Sequence, residues 1–589
     1  MKTFYVILLL VPLFLWQCET SPYRKLKLDS EEKAALHELL AKEGEQYDAE
    51  EKMLFSNFSS PGYHTTLAGG TVHRTRQSLT YAVSCLDSDD PELKQRGFDI
   101  LDRVIDLQDQ NPDSKTYGIW PWFLEEPLPQ MSPPDWNWAD FCGVQLLQAV
   151  IYHKEEFSPE LLAKTNNAIY HAARSIEKRN VGPEYTNIAI MGTYVTMITA
   201  ELQNLPDLKK YALDRLQRFY DYTMETGAFS EYNSPTYTIV ALKELARMLE
   251  HFSDRRAKKL VKELYELAWE EIALHFHPPA QQWGGPHSRN YETLLPIKTL
   301  AFIQSSTSEA VSFGVPDFHD LQSHRLSCPC PKKLEHYFIS IEKPRQVRRK
   351  YSQGDNPLVG TTYTTPQFSL GSINRGDFWN QRRPLILYWG KAANPSFLRV
   401  RFLHDGYDFA AAQFYSVQEK GIVLFGVALA TDGGDNHVNL DRLKNAVFSA
   451  KDLRLRFEFG GLAAEKRVHP PRTVQDNLLL AFPGLDLRIS IPWAAFDDLT
   501  PYWDGEKSGT FAAYDLVLYS GEQRVFDLSR IMQAGIAGMV AAGARTEMSG
   551  ALRGTLQNDG YQIGYQQLDL FFPVAPAPKA ELARRVKFD

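Results

Sequence analysis

The sequence predicts a multidomain α+β protein in which an N-terminal α/α toroid, an incomplete barrel, precedes a C-terminal antiparallel β-sandwich. The chain has 589 residues, more than one ordinary hydrophobic core accommodates. Residues 30–303 carry apolar residues at helical spacing in one segment after another, with Gly, Pro and Asn between the segments. Residues 335–574 instead carry short alternating or β-rich stretches separated by turns rich in Gly, Asp and Asn.

The first 18 residues have the pattern of an export signal. Lys2 precedes the apolar run Phe4–Trp16, which is too short for a comfortable transmembrane helix. Cys18 follows a segment similar to a bacterial lipoprotein box, although Gln17 stands where a small residue is usual. We expect an exported protein that is extracellular, periplasmic or held at the cell surface. Cys18 is then either a lipid anchor or an incidental cysteine behind an ordinary signal peptide.

The toroid prediction for residues 30–303 depends on segments with apolar residues at helical spacing. These segments are Glu31–Gly44, Pro91–Gln108, Asp140–His153, Pro159–Lys178, Asn187–Gln203, Leu208–Thr226, Thr238–Phe252 and Asp254–Phe276. Repeated helix hairpins predict an α/α toroid or a helical solenoid. Because no fixed-period repeat is visible, the toroid is favoured.

The remaining segments complete the predicted organisation. Residues 304–334, with their Pro, Cys and His content, are interpreted as a linker, and residues 575–589 as a peripheral tail or short helix. The sandwich over residues 335–574 is predicted from β-rich stretches with intervening turns. These include Phe368–Ile373, Leu385–Trp389, Phe397–Phe402, Gly421–Ala428, Leu453–Phe459, Asn477–Ala481, Leu487–Pro492 and Gly509–Tyr519.

Composition restricts the class of partner and cofactor. A net charge of −8 argues against a general nucleic-acid binder, although a local basic cleft can coexist with an acidic surface. The cysteines that follow Cys18 are too few in so long a chain for a disulfide scaffold. Cys328-Pro329-Cys330 does not have the spacing of a zinc knuckle. No cofactor is predicted, and a structural divalent metal is not excluded.

Three polar clusters beside the predicted helices carry the candidate chemistry. They are Glu184–Asn187, Gly227–Tyr237 and Trp283–Tyr291. Together they offer a glutamate, an asparagine, tyrosines, a histidine and an arginine. This set suits the removal of a carbon-bound proton next to a carboxylate, which requires a group that neutralises the carboxylate, a base and an acid.

The individual candidates each have a structural alternative. Asn187 opens a predicted helix, where Asn is also a favoured cap. The segment Glu231–Tyr237 crowds Glu231, Tyr232, Asn233 and Tyr237 into a loop restricted by Pro235, just before a helix. His287 and Arg289 lie in a Gly-Gly-Pro loop that brings backbone close to a ligand or forms a plain turn. Arg289 would hold a uronate carboxylate, and His287 would be a base or a second neutralising group.

Aromatic and basic residues predict walls for a sugar. Tryptophan faces stack on sugar rings, and Pro-rich loops keep them at a rim, although tryptophan also packs between helices. The predicted substrate-binding residues are Trp120, Trp122, Trp136, Trp138, Trp283 and Asn233, with His73 and Arg74 adding positive charge at the mouth of the helix bundle in the run His73-Arg74-Thr75-Arg76.

This layout resembles the toroid-plus-sandwich polysaccharide lyases, the group that includes heparinase II/III-like, chondroitin AC-type and alginate lyases. The resemblance covers roughly residues 60–560 in architecture, and Thr186-Asn187, Glu231–Tyr237 and Gly284–Tyr291 in motifs. It implies Asn187 as the group that neutralises the carboxylate, Tyr237 as base or acid, and His287 with Arg289 as partners. Tyr232 competes for the tyrosine role. The implied substrate is an acidic polysaccharide cleaved by β-elimination.

Two other functions fit the same residues. A glycoside hydrolase on the same toroid would need two carboxylic acids across the scissile bond, with Glu231 as one and Glu184 or Asp140 as the other. The predominance of Tyr, His, Arg and Asn over paired carboxylates argues against it. A non-catalytic glycan-binding surface lipoprotein would use the aromatic loops but would have no need of Tyr237, His287 and Arg289.

Overall fold

A computed structural model of the chain describes residues 23, 26–434, 443, 445–465 and 469–588. The predicted export signal, residues 1–18 with Cys18, lies outside the described residues, as does Asp589. In the part of the chain that the structure describes, no helix is both long and apolar enough to cross a membrane.

The N-terminal half is a two-layered ring of paired helices, so the predicted α/α toroid is confirmed. Helices α2, α4, α6 and α8 contact one another in series and form the inner layer, while α3, α5, α7 and α9 each pack outside the helix that precedes them. The helices of the chain are α1 (Ser30–Gly44), α2 (Thr75–Asp87), α3 (Pro91–Ile105), α4 (Trp138–His153), α5 (Pro159–Arg179), α6 (Thr186–Leu202), α7 (Pro206–Thr226), α8 (Tyr237–His251), α9 (Arg255–His275), α10 (Ile297–Ser305), α11 (His336–Ile339) and α12 (Lys579–Arg585).

Sequence pattern separates the two layers. Nearly every residue of the inner helices α4 and α6 is buried, as expected for helices that are apolar all round. The outer helices α5 and α7 bury only a stripe and expose the rest. Short turns join each inner helix to its outer partner, whereas longer segments return the chain to the next inner helix.

A small sheet that the helical periodicity did not predict lies between α1 and α2. Its strands are β1 (Tyr47–Asp48), β2 (Met53–Ser59) and β3 (Gly69–His73), paired antiparallel. A two-stranded ribbon, β4 (Phe276–His277) with β5 (Gln282–Trp283), follows α9. Both sheets lie within the region that was expected to be helical throughout.

The strands of the C-terminal half pair antiparallel in three sheets, which confirms the predicted β-sandwich. Its strands are β6 (Arg345–Lys350), β7 (Val359–Thr364), β8 (Phe368–Ile373), β9 (Arg375–Asp377), β10 (Leu385–Lys391), β11 (Asn394–His404), β12 (Tyr407–Asp408), β13 (Ala412–Glu419), β14 (Ile422–Leu429), β15 (Val447–Gly460), β16 (Leu478–Phe482), β17 (Leu485–Phe496), β18 (Tyr502–Lys507), β19 (Phe511–Asp527), β20 (Ala534–Gly543), β21 (Arg553–Leu556), β22 (Tyr561–Tyr565), β23 (Leu568–Phe572) and β24 (Lys587–Phe588).

Three sheets form successive layers. The large sheet has the order β18-β19-β15-β11-β10-β8-β7-β6, with β12 paired to β11, and it packs against the sheet β16-β17-β20-β14-β13-β9. The other face of this second sheet is covered by a third sheet, β21-β22-β23-β24. Because both its faces are covered, every residue of β20 is buried.

The segments expected to be a linker and a tail both pack against a core. Val311, Phe313, Cys328 and Cys330 of the 304–334 segment are buried in the helical core. The segment after residue 574 contributes α12 and β24, and Leu582 is buried against the third sheet. Neither segment is a loose connection, because each buries apolar side chains that the helical or strand periodicity alone did not single out.

The loop Gly284–Tyr291 links the two halves. The backbones of His287 and Arg383 exchange two hydrogen bonds, at 3.1 and 2.9 Å, and Thr362 Oγ1 donates to the Gly285 carbonyl at 2.5 Å. Gly371 in β8 lies so close that a Cβ there would stand 1.8 Å from the Gly285 carbonyl oxygen. The loop therefore rests directly on the strand, and only glycine at position 371 permits this approach.

We predict that Gly371→Ala separates the loop from the sheet. The added methyl group meets backbone atoms of Gly285 and Pro286, so either the loop or the strand must move, at a cost of about 1–3 kcal/mol or more. The expected result is a lower Tm by differential scanning calorimetry.

Gly509→Ala is the matched control, because nothing lies within 4 Å of a Cβ at that position. It should leave the Tm unchanged. An unchanged Tm for Gly371→Ala would contradict the described contact between loop and sheet.

Candidate active site

The N-terminal ends of the inner helices meet at one end of the toroid. Hydrogen bonds tie each end to the next around the ring. Trp138 Nε1 donates to Thr75 Oγ1 at 3.0 Å, Asn137 Nδ2 donates to the Tyr185 hydroxyl at 3.1 Å, and the Glu231 backbone N–H donates to Thr186 Oγ1 at 3.2 Å. The longer segments that lead into the inner helices therefore carry their side chains to a common cleft.

Inner and outer helices differ in how they begin. The outer helices α3, α5 and α9 start with a side-chain cap from Asp90, Ser158 and Asp254 respectively. None of the four inner helices has a hydrogen bond from its own N-cap side chain. Side chains from the segment before α8 accept hydrogen bonds from the first turns of two of these helices: Glu231 Oε2 from the Asn187 N–H of α6, and Ser234 Oγ from the Tyr237 N–H of α8. The positive ends of four helix dipoles meet at the cleft, an arrangement that favours anions.

The loop Gly284–Tyr291 closes one side of this cleft. Asn233 Nδ2 donates to the carbonyls of Gly284 and Pro286, at 2.8 and 2.9 Å. Ser234 Oγ donates to the Arg289 carbonyl at 2.6 Å. Asn233 adopts a left-handed backbone conformation, with φ of 44°, which Asn tolerates better than most residues. The Glu231–Tyr237 segment thus holds the loop in place.

Tyr237 and Arg289 form the centre of the site. The Arg289 guanidinium carbon lies 3.9 Å from the centroid of the Tyr237 ring. The Tyr237 hydroxyl is 2.9 Å from the hydroxyl of Tyr291, whose side chain is exposed. Burial and Tyr291 raise the pKa of Tyr237, while Arg289 opposes them. Burial dominates, so Tyr237 keeps its proton in the ligand-free cleft.

Glu231 lies on the other side of Arg289. Its Oε1 accepts from Arg289 Nη1 at 3.1 Å, and its Oε2 accepts from the Asn187 backbone N–H at 3.1 Å. Burial raises the pKa of the Glu231 carboxyl, although Arg289 opposes the shift. The Asn187 side-chain oxygen is buried without a hydrogen-bond partner. A carboxylate, an amide and a guanidinium therefore stand together at the start of α6.

An aromatic wall runs along the start of α2 and α4. The rings of Trp122 and Trp138 lie 5.3 Å apart between centroids, and Trp138 contacts Phe141 edge-on at 5.6 Å. Both tryptophans remain partly exposed, consistent with their predicted place beside a sugar. Trp136 is also partly exposed, with its Nε1 donating to the Lys115 carbonyl at 3.1 Å.

Several predicted site residues are buried supports instead. Tyr232 stacks on Tyr351, with centroids 4.6 Å apart, and belongs to the core of the sandwich. Trp283 is buried and donates its indole N–H to Asn233 Oδ1. The rings or polar groups of Tyr232, Trp283 and Asn233 are therefore used inside the protein, and their catalytic and substrate-binding roles stay predictions.

His287 is a fourth such residue. It is fully buried, and its Nδ1 donates to the Asn233 carbonyl at 2.7 Å. A carbonyl only accepts, so the neutral ring carries its proton on Nδ1. Burial lowers the pKa of His287 to about 3. In this structure His287 positions the loop that carries Arg289, and its action on substrate stays a prediction.

Three further predictions place residues near the mouth of the bundle that the structure commits elsewhere. Trp120 is fully buried, and its Nε1 donates to the Val104 carbonyl at 2.9 Å. His73 pairs with Glu125 and Asp48. Arg74 donates to Ser56 Oγ at 2.5 Å and covers the rings of Phe58 and Phe123. The contacts of His73 and Arg74 join the small N-terminal sheet to the start of α2 and to the segment that follows α3.

The sequence motifs did not single out every residue of the cleft. Arg289 Nε donates to Gln381 Oε1 at 3.0 Å, and the Trp379 ring lies 5.5 Å from its guanidinium carbon. Both residues come from the sandwich, in the polar run after β9, so only the tertiary fold brings them to Arg289. Tyr291 ended the predicted loop motif, but no sequence signal indicated its contact with Tyr237.

A second cavity lies at the opposite end of the toroid. Its volume is about 1690 Å³, and its lining includes Asp87, His153 and Leu202 from the C-terminal ends of inner helices. Helix C-termini disfavour anions, and the lining also includes Tyr23 and Leu26, next to residues that the structure does not describe. The cleft at the N-terminal ends is therefore the better candidate for an acidic ligand. Among the described residues, no cluster of three or more His, Cys, Asp or Glu forms a metal site.

Comparison with known proteins gives a distant likeness. A family model described as a domain of unknown function (DUF8769) matches residues 36–304, less than half of the chain. No curated protein matches. Among solved structures, the Streptomyces coelicolor A3 chondroitin AC lyase in complex with chondroitin sulphate has 10% identity and a TM-score of 0.47, over 92% of this chain and 84% of its own.

Two other solved structures are more distant. A heparinase III has 10% identity and a TM-score of 0.34, over 93% of this chain and 91% of its own. A Clostridium thermocellum endoglucanase complexed with cellotriose has 9% identity and a TM-score of 0.25, over 87% and 78% of the two chains. At these TM-scores the likenesses do not decide what the chain does.

We predict that the buried neutral His287 causes the free energy of unfolding to decrease as the pH falls. Its folded pKa, about 3, lies below the unfolded value of 6.5, so the unfolded chain binds a proton that the folded site refuses. This contribution is complete above the unfolded pKa and is lost as the pH falls toward 3, by about 1.4 kcal/mol per pH unit. The variant His287→Asn should show a shallower fall in the free energy of unfolding between pH 6 and 4, measured by urea denaturation.

The exposed His336 supplies the control variant His336→Asn, which should follow the wild-type slope. A slope for His287→Asn equal to that of the wild type would show that His287 is not held neutral in the folded protein.

Proposed function

We propose that this chain is an exported lyase that cleaves a uronic-acid-containing polysaccharide by β-elimination. The main support for this function is the contact of Tyr237 with Arg289 in a cleft where the N-termini of the inner helices meet. Elimination needs a cation to hold the uronate and a proton donor beside it. The apolar run before Cys18 supports export, with Cys18 as a possible site of lipid attachment.

Arg289 and Asn187 bind the uronate carboxylate in this proposal. A guanidinium matches a carboxylate with two parallel hydrogen bonds. The Asn187 side chain makes no hydrogen bond with another described residue, so its amide is free to donate to the second oxygen. Neutralising the carboxylate makes the C5 proton more acidic. The negative charge that develops at C5 in the transition state is delocalised onto the carboxylate, where Arg289 and Asn187 stabilise it.

Tyr237 then acts as the acid and Glu231 as the base. Substrate carboxylate competes with Glu231 for Arg289 and so frees the Glu231 carboxylate, whose pKa is already raised by burial. Glu231 takes the C5 proton, the C4–O bond breaks, and a C4=C5 double bond forms. Tyr237 gives its proton to the leaving glycosidic oxygen. The proton on Glu231 afterwards returns to Tyr237 through solvent, which restores both groups.

A Tyr237→Phe variant tests the acid. It keeps the ring against Arg289 but lacks the proton, so we expect turnover to fall about 10²–10⁴-fold while binding is retained. Turnover is measured as ultraviolet absorbance of the conjugated double bond. The substrates are a panel of glycosaminoglycans, alginate, glucuronan, ulvan, pectic backbones and plant gums, and binding is measured by calorimetry.

Tyr232→Phe is the matched control from the same loop. Because Tyr232 is buried in the sandwich core, this variant should keep wild-type turnover. Equal activity of Tyr237→Phe and the wild type would contradict the proposal, and loss in Tyr232→Phe alone would move the tyrosine role to Tyr232.

A hydrolase remains the second candidate, because the raised pKa of Glu231 also suits an acid that protonates a glycosidic oxygen. Its predicted second carboxylates are poorly placed. Asp140 is buried beside Gly192 and Arg215, and burial raises its pKa to about 7. Glu184 is exposed.

The pair Glu231→Gln and Glu184→Gln separates the two reactions. Turnover is measured by the absorbance of the conjugated double bond. If the protein is a lyase, Glu231→Gln should lower turnover about a hundredfold or more, and Glu184→Gln should leave it unchanged. Loss with both variants, together with new reducing ends and no absorbance, would establish the hydrolase instead.

A further inference from the structure

The side chain of Arg76, in the first turn of α2, has no hydrogen-bonding or ionic partner among the described residues. Arg76 is the second residue of α2, and its guanidinium carbon lies 3.8 Å from the centroid of the Phe141 ring. No hydrogen bond or ion pair joins it to another described residue, and its side chain remains partly exposed. The face of the Phe141 ring attracts the cation. It has no oxygen atom that could accept a hydrogen bond from the five N–H groups of the guanidinium.

The surroundings of Arg76 belong to the candidate site. Burial lowers the pKa of the Arg76 guanidinium, although nearby acidic groups oppose this shift. Through Phe141 it also continues the wall formed by Trp122 and Trp138. Arg76 therefore extends the aromatic wall at the start of α2.

Two other arginines near the site, unlike Arg76, donate hydrogen bonds to oxygen acceptors. Arg74 is bound to Ser56, and Arg289 to Glu231 and Gln381. The Arg76 guanidinium has no such oxygen acceptor among the described residues, and because it is partly exposed it can accept one from a ligand. The acceptor that fits a planar fork of donors is an oxyanion, either a carboxylate or a sulfate ester.

We propose that Arg76 binds a second oxyanion of the substrate, carried by the sugar next to the uronate that Arg289 and Asn187 hold. This inference rests on the proposed lyase function and narrows its substrate class to polysaccharides with an acidic group on the adjoining sugar. The tryptophans hold the face of that sugar, while Arg76 holds its charge. The residue determines specificity and takes no part in proton transfer.

The first experiment measures anion binding alone. Inorganic sulfate and sodium acetate are titrated calorimetrically into the full protein, in wild-type form and as Arg76→Gln and Arg76→Lys. We expect at least one of the two anions to bind to the wild type about tenfold or more tighter than to Arg76→Gln, with Arg76→Lys intermediate. Equal binding by all three proteins would overturn the proposal, and the anion that shows the difference distinguishes a sulfate from a carboxylate.

The second experiment compares two forms of the polysaccharide that the wild type degrades. One is the intact polymer, and the other is a polymer altered by removal of its sulfates or by reduction of its adjoining carboxyl groups. Arg76→Gln should raise KM for the intact polymer about tenfold or more. It should not change KM for the altered polymer, and it should not change kcat for either polymer. A fall in kcat on both polymers would place Arg76 in the chemistry and overturn the specificity role. If the wild type degrades nothing, the lyase function fails, while the calorimetric result on Arg76 stands by itself.

Discussion

The fixed position of the loop Gly284–Tyr291 is the constraint on which the site depends. Asn233 binds the loop from the toroid, and Thr362 and Arg383 bind it from the sandwich. Arg289 extends from this doubly held backbone to contact Tyr237. Because each domain supplies part of the support, the guanidinium is placed within the cleft only when the toroid and the sandwich pack together, which gives a physical reason for the two domains to occur in one chain.

Helix pairing supplies the rest of the site. Each hairpin turns sharply at one end of the toroid and returns through a longer segment at the other, so every inner helix begins at the same end. The outer helices α3, α5 and α9 satisfy N–H groups of their first turn with their own cap side chains, whereas α7 and the four inner helices do not. The cleft thus combines positive helix ends, arginines and aromatic faces, the features expected of a site for an acidic sugar chain.

The fold class was predictable because helical and strand periodicity are local properties of the sequence. The sheet β1–β3 escaped prediction, since two of its three strands are short and it lies among helices. The sequence alone distinguished residues of the cleft from buried supporting residues only in part. Glu231 and Asn233 are two residues apart in one polar loop, yet one meets Arg289 in the cleft and the other is bonded inside the protein. The direction of each side chain, and partners such as Gln381 that lie about ninety residues away in sequence, depend on tertiary packing.

The masses of the products distinguish elimination from hydrolysis. A purified oligosaccharide of the polymer that the protein degrades is digested, and the two fragments from one cleavage are weighed by mass spectrometry. Elimination adds no water, so the fragment masses should sum to that of the parent, with the unsaturated sugar at the new non-reducing end. Fragments that sum to the parent plus one water would contradict the claim, because they would show that the cleft directs water at the glycosidic bond.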